Sequence, residues 1–157
     1  MRSVLRLELE EAKAMLEAAK RAAQEAGALE TICIVDEGGY VIALERMNGA
    51  RLTGPELAMA KAFTASAHKR STHLFNEPGG AATTTGEAFG IHAMFPGKFA
   101  IFVGGFPIVV NGEVIGGIGV SGGTGEQDKA VAVAALKALQ THLGADYEVL
   151  AQTDIRK

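Results

Sequence analysis

Tryptophan is absent from this chain of 157 residues, cysteine occurs once, proline four times, and aromatic residues amount to 6%. A single cysteine permits no internal disulfide, no thiolate cage for a metal and no covalent CxxCH haem attachment. Cys33 stands between Ile32 and Ile34-Val35 and reads as a buried strand thiol in a reducing cytoplasm. Long apolar runs are missing too. The most apolar stretch, Phe99 to Gly112, is broken by Gly104, Gly105 and Pro107 and falls short of the ~20 residues that span a bilayer. Charges interrupt MRSVLRLELEEAK before any secretory h-region can form. An excess of positive charge is also lacking: 15 Lys+Arg against 18 Asp+Glu give a net charge of −3. Nucleic acid and anionic membranes are therefore not expected as partners.

What is present is a globular composition, 48% hydrophobic and 21% charged, of a length that suits a single domain over residues 1–157. The unusual item of composition is 20 glycines without a Gly-X-Y period.

The chain reads as a succession of short elements. Leu9, Ala12, Leu16, Ala19, Ala23 and Ala26 recur at helical spacing, and Gly27 follows where a left-handed C-cap belongs. Thr31–Val35 and Tyr40–Leu44 flank Asp36-Glu37-Gly38-Gly39 as a hairpin. Thr53-Gly54-Pro55-Glu56 predicts a capping box and a second helix running to His68 or Lys69. Residues 70–98 predict irregular structure with one short helical piece. Three β-rich runs follow, Phe99–Val103, Phe106–Val110 and Glu113–Val120, with Asn111-Gly112 as a tight hairpin turn. Thr124 and Gln127 then form a capping box for a last helix that Gly144 ends. The order predicts an α+β fold in which helices pack on one antiparallel sheet.

Three places carry polar residues beyond what the fold demands. Lys61, Thr64 and His68 share one face of the second helix, while Met59, Ala62, Phe63 and Ser66 share the face expected to meet the sheet. Spacing alone favours a solvated face for the first group. The functional alternative is a carboxylate or phosphate site, or acid–base work by a desolvated lysine. Ser121-Gly122-Gly123-Thr124 feeds a helix N-terminus that suits an anion, unless Thr124 and Gln127 consume the free N–H groups themselves. Asp128 shares a face with Ala132, Ala135 and Leu139, so it is expected to point inward and to need a cation, either Arg46 or Lys61. The paired Gly104-Gly105 allows a bulge or the close approach of a ligand or another backbone. Histidines 68, 73, 92 and 142 show no metal-ligand spacing, and no metal site is expected. His142 suits the dipole at the C-terminal end of the last helix.

The segments VDEGGYVIALERMNGA (35–50), ELAMAKAFTA (56–65) and GGFPIVVNGEVIGGIGVSGGTGEQD (104–128), together with the alanine-rich last helix, resemble the GlcG/HbpS-like family. That family includes the C-terminal domain of PduO-type proteins. The resemblance implies a five-stranded antiparallel sheet flanked by helices, a profilin- or PAS-like sandwich. It also implies self-association, from dimers to octamers, and non-covalent haem binding in some members. The recurring polar positions of the family fall on Asp36, Arg46, Lys61, Thr64, Ser121 and Asp128, and Asn48 replaces the acid more usual there. Haem-ligand candidates are His68, His73 and His92.

Two functions follow as expectations. The first is a small-ligand-binding protein with haem as the named ligand and a site drawn from Arg46, Lys61, Thr64, Gly104, Gly105, Ser121, Gly122 and Gly123. The second is a catabolic enzyme acting on a small carboxylate or carbonyl compound, with Arg46 as anion clamp, Lys61 as base or electrostatic stabiliser and Asp128 orienting the lysine. A structural reading of Lys61 and Asp128, as an internal salt bridge between helices, stands beside both.

Overall fold

The computed structural model describes residues 1–156. Its elements are α1 (Leu9–Glu25), β1 (Thr31–Asp36), β2 (Val41–Arg46), α2 (Gly54–Ala67), β3 (Gly105–Val110), β4 (Glu113–Ser121) and α3 (Gly125–Leu143). The strands form one antiparallel sheet in the order β2-β1-β4-β3. Pro107 is tolerated because β3 is an edge strand, where a missing N–H leaves no ladder bond unmade. Asn111 and Gly112 turn the β3–β4 hairpin with φ of 49° and 78°.

Strand alternation divides the core. Ile32, Ile34, Phe106, Ile108, Ile118 and Val120 turn to α1 and α3, whose buried Leu16, Leu136 and Leu139 complete the main core. Cys33 and Val35 turn the other way, to Ala58 and Ala62 of α2. Opposite them in the ladder stand Gly119 and Gly117. A Cβ on Gly117 would meet the Ala62 carbonyl, and one on Gly119 the Ala58 carbonyl. The α2 face of β4 therefore presents bare backbone, and the helix lies directly on it. Burial raises the Cys33 thiol pKa to about 12, so this thiol is chemically quiet.

The sequence expectations need four corrections. The sheet has four strands, not five, because Phe99–Val103 is not a strand. Its backbone is engaged by side chains instead: Ala100 N donates to Thr64 Oγ1 at 2.8 Å, and Thr72 Oγ1 donates to the Phe102 carbonyl. Residues 70–98 contain two 3₁₀ turns, Thr72–Phe75 and Ile91–Met94, rather than one helical piece. Thr53 does not cap α2: it sits in the αR region (φ −79°, ψ −8°), from which its hydroxyl makes no capping bond.

The last correction concerns the faces of α2. Lys61 and Thr64 are buried, whereas Met59 is 37% exposed. Only small residues fit against the glycine-paved strand, which puts Met59 and Phe63 on the wall of an outer cleft. The segment before β3 covers Thr64. The C-terminal end of α1 and the start of α3 agree with the expectations, with Gly27 at φ +69° and the Thr124–Gln127 capping box formed, while the Glu8–Glu11 capping box of α1 is not among them.

Candidate functional site

Two features stand out: a buried charged cluster under the glycine-rich turn, and an aromatic strip on the outer side of α2.

The cluster begins with Lys61. Its stem passes the end of β3 at Gly104, where a Cβ would lie 2.5 Å from Nζ and 2.8 Å from Cδ. The space that these glycines vacate is filled by the lysine and by the α2 backbone. Lys61 Nζ donates to the Val120 carbonyl at 2.7 Å and to Asp128 Oδ2 at 3.3 Å, with the Phe102 ring 5.1 Å away. Both members of the ion pair are buried, each 3% exposed. Arg46, the other candidate partner of Asp128, is exposed at the end of β2. Arg51 is the arginine whose charge reaches Lys61. Burial holds the lysine below its ordinary pKa, opposed by Asp128 and Glu30.

Glu30 is the member that sequence reading missed. It sits just before β1, fully buried, with nothing in its spacing to set it apart from a loop acid. Gly123 N donates both to Glu30 Oε2 at 3.0 Å and to Asp128 Oδ1 at 3.1 Å. Two carboxyl groups thus converge on one N–H, and Glu30 Oε1 is left buried without a partner. Burial and the adjacent Asp128 push the Glu30 pKa up to about 7. A proton on Glu30, shared with Asp128, relieves the repulsion between the two carboxyl groups.

Two more N–H groups at the start of α3 are taken as well: Thr124 N donates to Gln127 Oε1 and Gln127 N to Thr124 Oγ1. Ser121 ends β4 opposite Thr31. The Asp36 carboxylate accepts from Gly38 N and Tyr40 N and so builds the hairpin turn. The charged cluster therefore ties α2, α3, β4 and the start of β1 together, and its lysine is already engaged.

Glu30 gives the fold a pH dependence of definite sign. Its pKa in the folded chain, about 7, lies above the ordinary 4.5, so its neutral form is the one the fold favours. Stability is full below the ordinary value and is lost as pH rises through the folded value, by on the order of 3 kcal/mol. Glu30→Gln keeps a neutral group that both accepts from Gly123 and donates to Asp128. Its melting temperature is expected to match wild type at pH 4 and to exceed it by about 5–10 °C at pH 8. Equal shifts at the two pH values in thermal unfolding would rule this account out.

The aromatic strip starts on the outer flank of α2 at Phe63, whose ring lies against Gly39 in the turn between β1 and β2. Phe63, Phe95, Phe99 and Phe75 follow one another with centroid separations of 6.4, 5.9 and 5.3 Å. Phe95 is 47% exposed, and Met94 and Phe89 nearby in sequence are 75% and 64% exposed. A cation marks each end: Lys98 Nζ lies 5.8 Å from the Phe63 ring, and Arg70 Cζ lies 5.3 Å from the Phe75 ring. At the Phe63 end the strip runs into a cleft of about 460 Å³ walled by Tyr40, Val41, Met59 and Lys98.

The three candidate haem ligands are placed differently. His68, just past α2, sets its ring edge-on to Phe75 at 5.2 Å and Phe99 at 5.6 Å. Partial burial of the ring, with the Arg70 charge beside it, holds its pKa below the ordinary histidine value, although the residue as a whole is exposed. His73 is tied by Nε2 to Asp154 Oδ1 at 2.7 Å. His92 is exposed on the second 3₁₀ turn.

The model of the haem-degrading HbpS-like family matches residues 7–137. The chain is 38% identical over 128 residues to an uncharacterised 15.0 kDa protein of the dhaT–dhaS intergenic region of Citrobacter freundii, covering 77% of this chain and 88% of that one. It is 36% identical over 141 residues to the corrinoid adenosyltransferase PduO of the same organism, covering 87% of this chain but only 40% of PduO. Among solved structures, the PduOC:haem complex superposes with a TM-score of 0.82 at 30% identity, over 94% of this chain and 99% of that one.

Proposed function

The chain belongs to the HbpS-like family, and from that premise we propose that it binds haem non-covalently on the outer side of α2. The observation that carries the reading is the aromatic strip. A planar tetrapyrrole needs apolar faces for its ring and cations for its propionates. Phe63, Phe95 and Phe99 supply the first, and Lys98 and Arg70 supply the second. Phe95 is exposed and Phe63 and Phe99 are half-buried, and none of the three belongs to either core cluster. Once bound, haem supplies a redox-active iron, while the chain supplies the apolar platform, the counter-charges and a ligand. The structural similarity to the PduOC:haem complex supports the same reading.

The buried cluster does not serve this ligand. Its ammonium is already bonded to Val120 and Asp128, and it holds the layers in register. The test is titration of the untagged protein with haemin at micromolar concentration. A saturable Soret band at one haem per chain is expected, and the double variant Phe95→Glu/Lys98→Glu is expected to weaken binding by about tenfold or more, equivalent to losing about 1.4 kcal/mol. A flat titration of the wild type overturns the reading.

A further inference from the structure

We infer that His68 is the side chain that ligates the haem iron and that Arg70 holds a propionate, while His73 and His92 take no part. The inference rests on the haem-binding reading above and goes beyond it by choosing among the histidines.

The choice follows from what each imidazole is doing. Iron takes a neutral imidazole nitrogen with a free lone pair. His73 has Nε2 committed to Asp154 and Nδ1 buried, so neither nitrogen is available without dismantling the contact between the chain's C-terminal segment and the first 3₁₀ turn. His92 has nothing around it that fixes a ring: its 3₁₀ turn has no buried residue and the side chain is exposed. His68 differs from both. It is exposed, no hydrogen bond among the described residues engages its ring, and Phe75 and Phe99 hold that ring edge-on from two sides. Its orientation is therefore fixed by apolar contacts while its nitrogens stay unclaimed. It adjoins Phe99, which stacks on Phe95 with an interplanar angle of 24°. The ligand and the platform are thus contiguous.

Arg70 is the second observation. Its guanidinium rests on the Phe75 ring that His68 also touches, and no carboxylate among the described residues pairs with it. Its Nε is buried without a partner among the described residues. A buried guanidinium nitrogen with no acceptor, on an arginine without a counter-charge, is a costly arrangement that an incoming carboxylate relieves. Haem brings such carboxylates on its propionates. The cleft beyond Phe63 is lined by no histidine, so a haem seated there alone would have no imidazole ligand.

The experiment compares untagged wild type with His68→Ala, His73→Ala, His92→Ala and Arg70→Gln, each checked for wild-type far-UV dichroism. Haemin affinity is read from the Soret titration, and the ligand set from electron paramagnetic resonance. In His68→Ala the imidazole-type signal should be lost and affinity should fall by about tenfold or more, with the signal restored by added free imidazole. Arg70→Gln is expected to lower affinity by about tenfold while leaving the ligand signal unchanged. His73→Ala and His92→Ala should match wild type in both readouts. An unchanged spectrum in His68→Ala, or loss of the imidazole signal in either other variant, overturns the assignment while leaving haem binding itself intact. Wild type that does not bind haemin at all overturns the haem-binding reading, and the assignment falls with it.

Discussion

Gly119→Ala is expected to cost about 4–5 kcal/mol, at the extreme of single-substitution effects and enough to unfold much of a domain of ordinary stability. The added Cβ would overlap the Ala58 carbonyl oxygen and lie 2.7 Å from Ala62 N and 2.9 Å from the Ala58 carbonyl carbon. These are backbone atoms of one helical turn, so no rotamer change relieves the contact and α2 itself has to move. The helix is not free to do so. Ser66 Oγ donates to the Asp36 carbonyl at 2.7 Å, Thr64 Oγ1 accepts from Ala100 N, and Lys61 is anchored beyond the end of β3. Lifting α2 breaks these bonds in place of the overlap.

Gly125→Ala is the matching control. Its Cβ meets only the Val103 side chain, at 3.1 Å, on the first residue of α3. A helix-favouring methyl that displaces one side chain by a few tenths of an ångström is expected to stay within about 1 kcal/mol of wild type. Urea denaturation followed by far-UV dichroism gives both values. Similar midpoints for the two variants would mean that the helix does not rest on bare strand backbone.

That contact also explains what could be read from the sequence and what could not. The hairpin at Asn111-Gly112, the Gly27 end of α1 and the caps of α3 are local devices, written in the few residues that form them, and they appear where expected. The density of glycine from 104 to 125 is also visible, together with the inference that some backbone approaches closely there. What approaches is set by tertiary structure: α2 at Gly117 and Gly119, the Lys61 stem at Gly104, and the Glu30 carboxyl at Gly123.

The same geometry hides the faces of α2. Covered by the sheet on one side and by residues 98–105 on another, this helix has no single apolar stripe, so its spacing misassigns Lys61, Thr64 and Met59. Phe99–Val103 is β-prone in composition, but Thr64 and Thr72 capture its backbone groups before a neighbouring strand can. Glu30 had no local signature at all. Its role comes from where the loop before β1 meets the loop after β4.

Lys61→Met is expected to destabilise the fold by about 3–5 kcal/mol at pH 8, the cost of removing one partner from a buried ion pair. Methionine nearly preserves the stem, so the packing against Gly104 and Phe102 survives and the loss is one of charge. What stays behind is a pair of carboxyl groups, Glu30 and Asp128, converging on Gly123 N with no cation in reach of hydrogen bonding. Two like charges at one desolvated site repel, and the available relief is a proton.

Glu30 already favours the protonated form, with a pKa raised to about 7 in the presence of Lys61. Taking the lysine away removes an influence that opposes this rise, so the folded variant holds the proton to higher pH still. The sign follows by linkage. A group whose folded pKa exceeds its unfolded one stabilises the fold fully at low pH and loses that contribution as pH rises. The gap between wild type and Lys61→Met should therefore be widest at pH 8 and should narrow by about half or more at pH 5, where Glu30 is protonated in both proteins.

Adding Glu30→Gln to Lys61→Met should recover part of the loss at pH 8, because one of the two repelling charges is gone. Urea midpoints at the two pH values for wild type, the two single variants and the double variant measure this coupling directly. A Lys61→Met cost independent of pH, with no recovery in the double variant, would mean that the lysine acts through packing and that the two carboxyl groups do not sense it.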